Sequence, residues 1–185
     1  WPAEVDAQAA GYKAQVTAAD ARGREDFTHL PLITIDGEDA RDFDDAVYAE
    51  PDGRGWRLLV AIADVSHYVT PGSAIDVEAH ERGTSVYFPQ RVIPMLPEVL
   101  SNELCSLKPE VKRLALVCEM TIGPRGAIKS YRFARGVIRS HARTTYTQIA
   151  AVLAGDAAER ARYEALLPHI ETLHRLYRAL DGERQ

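Results

Sequence analysis

The sequence predicts an α+β fold, a mixed or antiparallel sheet flanked by helices. Three observations carry this. Strand-like stretches come in consecutive runs, at 32–36, 44–50 and 56–64 and again at 113–122 and 127–140. Helix-like stretches stand apart from them. The run LLVAIA at 58–63 is apolar on both faces, as a strand at the centre of a sheet would be.

Each element has a local reason. Residues 2–16 read as a helix, with Val5, Ala9, Tyr12 and Val16 on one stripe. A polar connector runs to about residue 30. Residues 32–36 form a short buried strand, and PDGRG at 51–55 is the turn between the next two. Ser73, with Asp76 three residues on, starts a helix over 74–82, and Gly83 ends it. Residues 84–95 are extended and broken by prolines, and a short helix is expected at 97–106. In 113–122 the residues Leu114, Leu116, Cys118, Met120 and Ile122 share one face. GPRG at 123–126 turns the chain into the strand over 127–140. Helices at 146–154 and 168–181 close the chain. The second has Pro168 in its first turn and a stripe of Ile170, Leu173, Tyr177 and Leu180.

The chain has 185 residues, 46% apolar and 26% charged, ordinary for a globular domain with its own core. No apolar run reaches the roughly 18 residues of a membrane span. The opening Trp1-Pro2 carries no signal-peptide pattern, and the chain reads as a fragment of a longer, cytoplasmic polypeptide. Cys105 and Cys118 have no metal-ligand spacing and read as buried thiols in a reducing compartment.

The net charge is −5, and TIDGEDARDFDDA at 34–46, with six acids beside the single base Arg41, accounts for all of it. The rest of the chain is neutral, so an anionic partner is not excluded. Carboxylates this crowded repel and raise one another's pKa unless a cation offsets them. A solvated loop would explain the run, but apolar strands flank it closely. An EF-hand fails: counted from Asp36, Ala40 and Arg41 fall where a ligand and a glycine are required. A magnesium site for phosphoryl chemistry suits short aspartates in a tight loop. If 42–48 is extended, Asp42 and Asp44 point to one side and Asp45 to the other. Either the loop bends at Asp44–Asp45, or these neighbours serve different ions or different roles.

The wording of this stretch, TIDGEDARDFDDAVY, resembles the catalytic signature of the RNB-domain exoribonucleases, the ribonuclease II and ribonuclease R family, and is nearer to the ribonuclease R branch. The likeness continues through VAIADVSHYV, RGTSVYFPQRVIPMLPEVLSNELCSL, LALVCEMTI and HARTTY, covering most of 32–150 in order. It implies that 1–30 is a helix and connector, and that 31–185 is the N-terminal portion of an RNB catalytic domain. It implies a processive 3′→5′ exoribonuclease that uses magnesium, with manganese as a substitute, and releases nucleoside 5′-monophosphates. Asp36, Asp42 and Asp45 match the family's metal-binding positions, and Asp44 matches the aspartate most directly tied to catalysis, with Asp42 beside it.

The partner implied is the 3′ end of single-stranded RNA, with neither DNA as substrate nor a membrane. Tyr87 resembles a family tyrosine that stacks near that end. Tyr146 resembles one near the reacting nucleotide that helps tell RNA from DNA; read from their neighbours alone, Tyr87 between Val86 and Phe88 and Tyr146 at the start of helix 146–154 are equally core candidates. The acid-free stretch 125–143, with Arg132, Arg135, Arg139 and Arg143 and with Tyr131 and Phe133 interleaved, reads either as a solvated basic strand or as a phosphate-tracking surface. His67 and His141 are poor magnesium ligands, and Asp64 reads as structural. Family members carry further active-site residues and RNA-binding modules beyond this span, so the isolated chain is expected to be weakly active or inactive. The alternative is a non-catalytic RNA-binding scaffold with the same fold.

Overall fold

The computed structural model describes residues 1–40 and 42–184, so Arg41 lies outside the described residues. Among the described residues are nine strands and five α-helices, and the predicted elements appear among them in the predicted order. A seven-stranded mixed sheet runs in the order β1-β8-β7-β4-β3-β2-β9. Its strands are β1 (Glu25–Asp26), β2 (Ile33–Asp36), β3 (Asp45–Asp52), β4 (Gly55–Ala63), β7 (Lys112–Ile122), β8 (Ile128–Arg139) and β9 (Ala142–Thr145). The strands β5 (Val86–Tyr87) and β6 (Val92–Ile93) form a separate hairpin. β1 pairs parallel with β8 and β2 parallel with β9, and the remaining ladders are antiparallel.

β4 sits fourth of seven, at the predicted centre. At its start a Cβ on Gly55 would stand 2.0 Å from the Ile122 carbonyl oxygen, so only glycine lets β7 approach there. Leu59, Ala61 and Ala63 point into the main core. They pack with Val117 of β7, with Val5 of α1 (Ala3–Ala10), with Ile75 of α2 (Ala74–Arg82), and with Leu100 and Leu104 of a short π-helix, Val99–Leu104. The opposite face carries Leu58, Met120 and Ile122 under Leu176 and Leu180 of α5 (Leu167–Arg184). Ile33 packs there on Val152 of α3 (Tyr146–Ala154) and on Ile170.

Burial on both faces is therefore only half realised. Beyond the reach of α5, Ile62, Leu116, Tyr131 and Phe133 are exposed on that second face. Cys118 lies among them and is only half-buried, unlike Cys105, whose burial pushes its thiol up to about 12.

Caps decide the helix ends. Ser73 Oγ accepts the Asp76 N–H at 3.3 Å, and Gly83, at φ 72°, closes α2 where the sequence indicates. Thr145 and Gln148 make a reciprocal capping box for α3. Helix 2–16 is shorter than expected. It stops at Ala10, and the Tyr12 hydroxyl leaves the helix axis to donate to the Tyr68 carbonyl at 2.6 Å. Tyr12 and Val16 still pack on the core, but through tertiary contact. An additional helix, α4 (Ala157–Arg162), lies outside the expected elements; Asp156 caps it through the Ala158 and Glu159 N–H groups. On α5, Leu176 is buried where Tyr177 was expected, and Tyr177 faces out.

Candidate active site

The acidic run connects β2 to β3 at one end of the sheet. Asp36 ends β2, and its neighbour in the parallel ladder is Thr145, the cap of α3. Residues 42–44 leave the strand. Phe43 turns into the main core at 6% exposure, while Asp44 and Asp45 stay exposed and Asp42 is half-buried. Asp45 then opens β3 opposite Ile62. Residues 42–44 are therefore irregular, not extended, and strand alternation applies only from Asp45 onward. Phe43, an apolar residue between two acids, is a signal of anchorage that reading the charges alone passes over.

Among the described residues, nothing neutralises this cluster fully. Partial burial raises the Asp36 carboxyl above its ordinary pKa; the nearby Thr34 hydroxyl and Arg143 oppose the rise, and the charges of Asp45 and Asp42 add to it. Loss of hydration raises Asp44 as well, with Asp42, Asp45 and Asp36 contributing. Asp36 Oδ2 is buried with no hydrogen-bond partner. Such an oxygen is costly unless something outside the chain satisfies it. Among the described residues, no three acid, imidazole or thiol side chains already stand together as a metal cage. The donor chemistry, four mutually repelling carboxylates with one orphaned oxygen, fits a hard divalent cation that draws them in.

The aromatic residues converge on the same corner from other elements. The Tyr87 hydroxyl, on the β5–β6 hairpin, donates to Asp42 Oδ2 at 3.2 Å with its ring exposed. Tyr146 follows Thr145 directly and is also exposed. Between the acidic loop, the hairpin and the π-helix lies an open cleft of ≈ 940 Å³, with Asp42, Tyr87, Phe88, Arg91, Asn102 and Arg143 in its lining.

The four arginines do not share one track. Arg132 is opposite Glu119 and spans Glu119 and Glu25, at 2.6 and 2.7 Å. Strand alternation gives Arg135 and Arg139 the parity of Tyr131 and Phe133, an edge-to-face pair with ring centroids 5.6 Å apart, and not that of Arg132. Arg139 pairs with Glu110 at 3.2 Å, and Arg135 stands 3.9 Å from Asp64. Arg143, on β9, points into the acidic loop. Its Nη2 donates to the Glu38 and Ala40 carbonyls at 2.7 and 3.3 Å.

Asp64 is structural, as its place at a strand end suggested. It is 1% exposed and ion-paired with Arg24 at 2.7 Å. Burial alone would raise its pKa, but the Ser66 hydroxyl, Arg24 and Arg135 together hold it below the ordinary value. His67 lies 3.2 Å from Asp20 Oδ1, and His141 Nδ1 lies 3.1 Å from the Arg139 carbonyl.

The family model of the RNB domain matches residues 24–185. The chain belongs to the RNB domain family. Ribonuclease R of Vibrio cholerae is 57% identical over all of this chain. The chain spans about a fifth of that relative's length, 22%. Among solved structures, Mycoplasma genitalium RNase R in complex with double-stranded RNA superposes with a TM-score of 0.89 at 32% identity, covering 97% of this chain and 32% of that one. Its complex with ribose methylated single-stranded RNA gives 0.88, covering 28% of that chain. A yeast pseudonuclease shares the fold at a TM-score of 0.72 and 22% identity, covering 89% of this chain and 20% of the other. The RNB assignment agrees with the α+β architecture and with the family the sequence resembles.

Proposed function

We propose that this RNB domain segment belongs to a magnesium-dependent, processive 3′→5′ exoribonuclease that hydrolyses RNA to nucleoside 5′-monophosphates. The observation that carries the reading is the acidic corner. Partial burial and the like charges around them raise Asp36 and Asp44, one buried carboxylate oxygen lacks a partner, and two exposed tyrosines border the group. A structural loop has no reason to keep such charge beside open aromatic faces. A nuclease has one.

Asp36, Asp42 and Asp45 would hold the cation, and Asp44 would act beside them on the reacting phosphate. Bound there, magnesium would activate water and offset charge on the attacked phosphate. Tyr87 and Tyr146 offer faces on which the terminal bases stack, each worth about 1–3 kcal/mol. The Tyr87–Asp42 hydrogen bond ties one of those faces to a cation ligand. Arg135 and Arg139, on one face, suit a passing phosphate backbone better than Arg132, which two carboxylates already occupy. The isolated chain is proposed to be weakly active or inactive, because it spans so little of its relatives' length.

The decisive experiment is Asp44→Asn in the intact enzyme that carries this chain. Release of mononucleotides from single-stranded RNA should fall by at least about a hundredfold, with RNA binding retained. The rival reading, a non-catalytic RNA-binding scaffold, draws on the fold shared with a pseudonuclease. It predicts no cleavage by the wild type and no change on substitution.

A further inference from the structure

Phe43, between Asp42 and Asp44, is held at both of its backbone groups. Its N–H donates to Ser106 Oγ at 3.1 Å, and its carbonyl accepts the Leu107 N–H at 2.7 Å. Ser106 and Leu107 are fully buried. The Ser106 carbonyl in turn accepts Arg113 Nε at 2.9 Å, and that arginine is 4% exposed on β7. A chain of hydrogen bonds therefore runs from the sheet to the backbone between the two aspartates.

Arg143 grips the same loop from the opposite side. Its guanidinium lies over the Phe43 ring, 4.9 Å from the centroid, while Nη2 holds the carbonyls of Glu38 and Ala40. Its Nε is sealed from solvent. Facing Arg143 from the surrounding elements are Asp36 of β2 and the ring of Phe43. Among the described residues, Nη2 alone donates to the main chain, to two carbonyls, while the buried Nε has no partner and the guanidinium makes no carboxylate pair.

We infer that Arg143 and Ser106 are positioning residues: they clamp the acidic loop about Phe43 so that Asp42 and Asp44 are already aimed when a hard divalent cation arrives. This rests on the cation reading above and assigns Arg143 a duty other than phosphate tracking. The physical logic is pre-organisation. Four repelling carboxylates would splay a free loop, and closing it would oppose binding. A clamp set by folding removes that cost from the binding step, as outer partners of metal ligands generally do. Lysine cannot replace this arginine, because an ammonium has neither the planar fork nor the face that lies on a ring.

The test uses the intact enzyme carrying this chain, with Arg143→Lys and Ser106→Ala, and two measurements that need no turnover. Manganese binding is followed by electron paramagnetic resonance, and binding of a single-stranded oligonucleotide is measured in EDTA. Arg143→Lys should weaken manganese binding about tenfold and leave the RNA Kd in EDTA unchanged. Ser106→Ala should move manganese binding in the same direction. Weaker RNA binding with manganese affinity intact would make Arg143 a phosphate contact and overturn the inference. Unchanged values in both assays for both variants would overturn it too. No manganese signal from the wild type would remove the cation reading itself, and the clamp with it.

Discussion

Asp44 and Asp64 are near neighbours, since the Ala63 N–H donates to the Asp44 carbonyl at 2.9 Å and Asp64 follows at once. The fold treats them in opposite ways. Asp64 is enclosed, accepts a hydrogen bond from the Ser66 hydroxyl, pairs with Arg24 and is held below its ordinary pKa. Asp44 reaches the surface but has no partner among the described residues, and partial loss of hydration, then the like charges around it, push it above. A carboxylate that the chain equips with its own cation serves the architecture. A group of carboxylates left without one calls for a cation from outside.

The largest effect should come from breaking the satisfied side. Asp64→Asn leaves Arg24 charged and buried, and should cost about 3–5 kcal/mol in urea unfolding. A loss below about 1 kcal/mol would mean that the pair is solvated and the contrast false.

Next is the unsatisfied side. A divalent ion at 100 times its Kd should stabilise the wild type by about 2.7 kcal/mol, and Asp36→Asn should abolish most of that gain. Equal stabilisation of both proteins would place the ion elsewhere.

A smaller effect separates the two carboxylates by sign. The folded-state pKa of Asp44 is raised, so its contribution favours folding at pH below the unfolded value and is lost as pH rises through the folded one. Asp44→Asn should therefore raise Tm slightly at neutral pH in EDTA, with the gain fading as pH falls into the carboxylate range. Asp64 runs the other way: its contribution is present above the unfolded pKa and is lost as pH falls through the lowered folded value. Thermal scans from pH 4 to 8 read both trends.

The smallest change is Tyr87→Phe. It removes an exposed hydrogen bond to Asp42 but keeps the ring, so stability should stay within about 0.5 kcal/mol. A marked rise in the RNA Kd would show that the hydroxyl, and not only the ring face, holds the substrate.

Much of this protein was legible in its sequence because the relevant signals are local. Ser73 and Gly83 bracket α2, the two-faced run LLVAIA finds the centre of the sheet, and the crowded acids mark one corner by charge alone. These depend on residues a few positions apart. Other features depend on partners that the chain brings from far away. Arg24 and Asp64 meet across 40 residues, and Arg143 reaches carbonyls more than 100 residues back. Strand alternation sends Arg132 to one face and Arg135 to the other, although both belong to one basic stretch. The early end of α1 likewise follows from Tyr12 reaching Tyr68. Composition and spacing determined which chemistry the chain carries. Only the packing of distant segments decided which charges are spent on the fold and which stay open, because a Coulomb or hydrogen-bond partner is set by distance in space, not by distance along the chain.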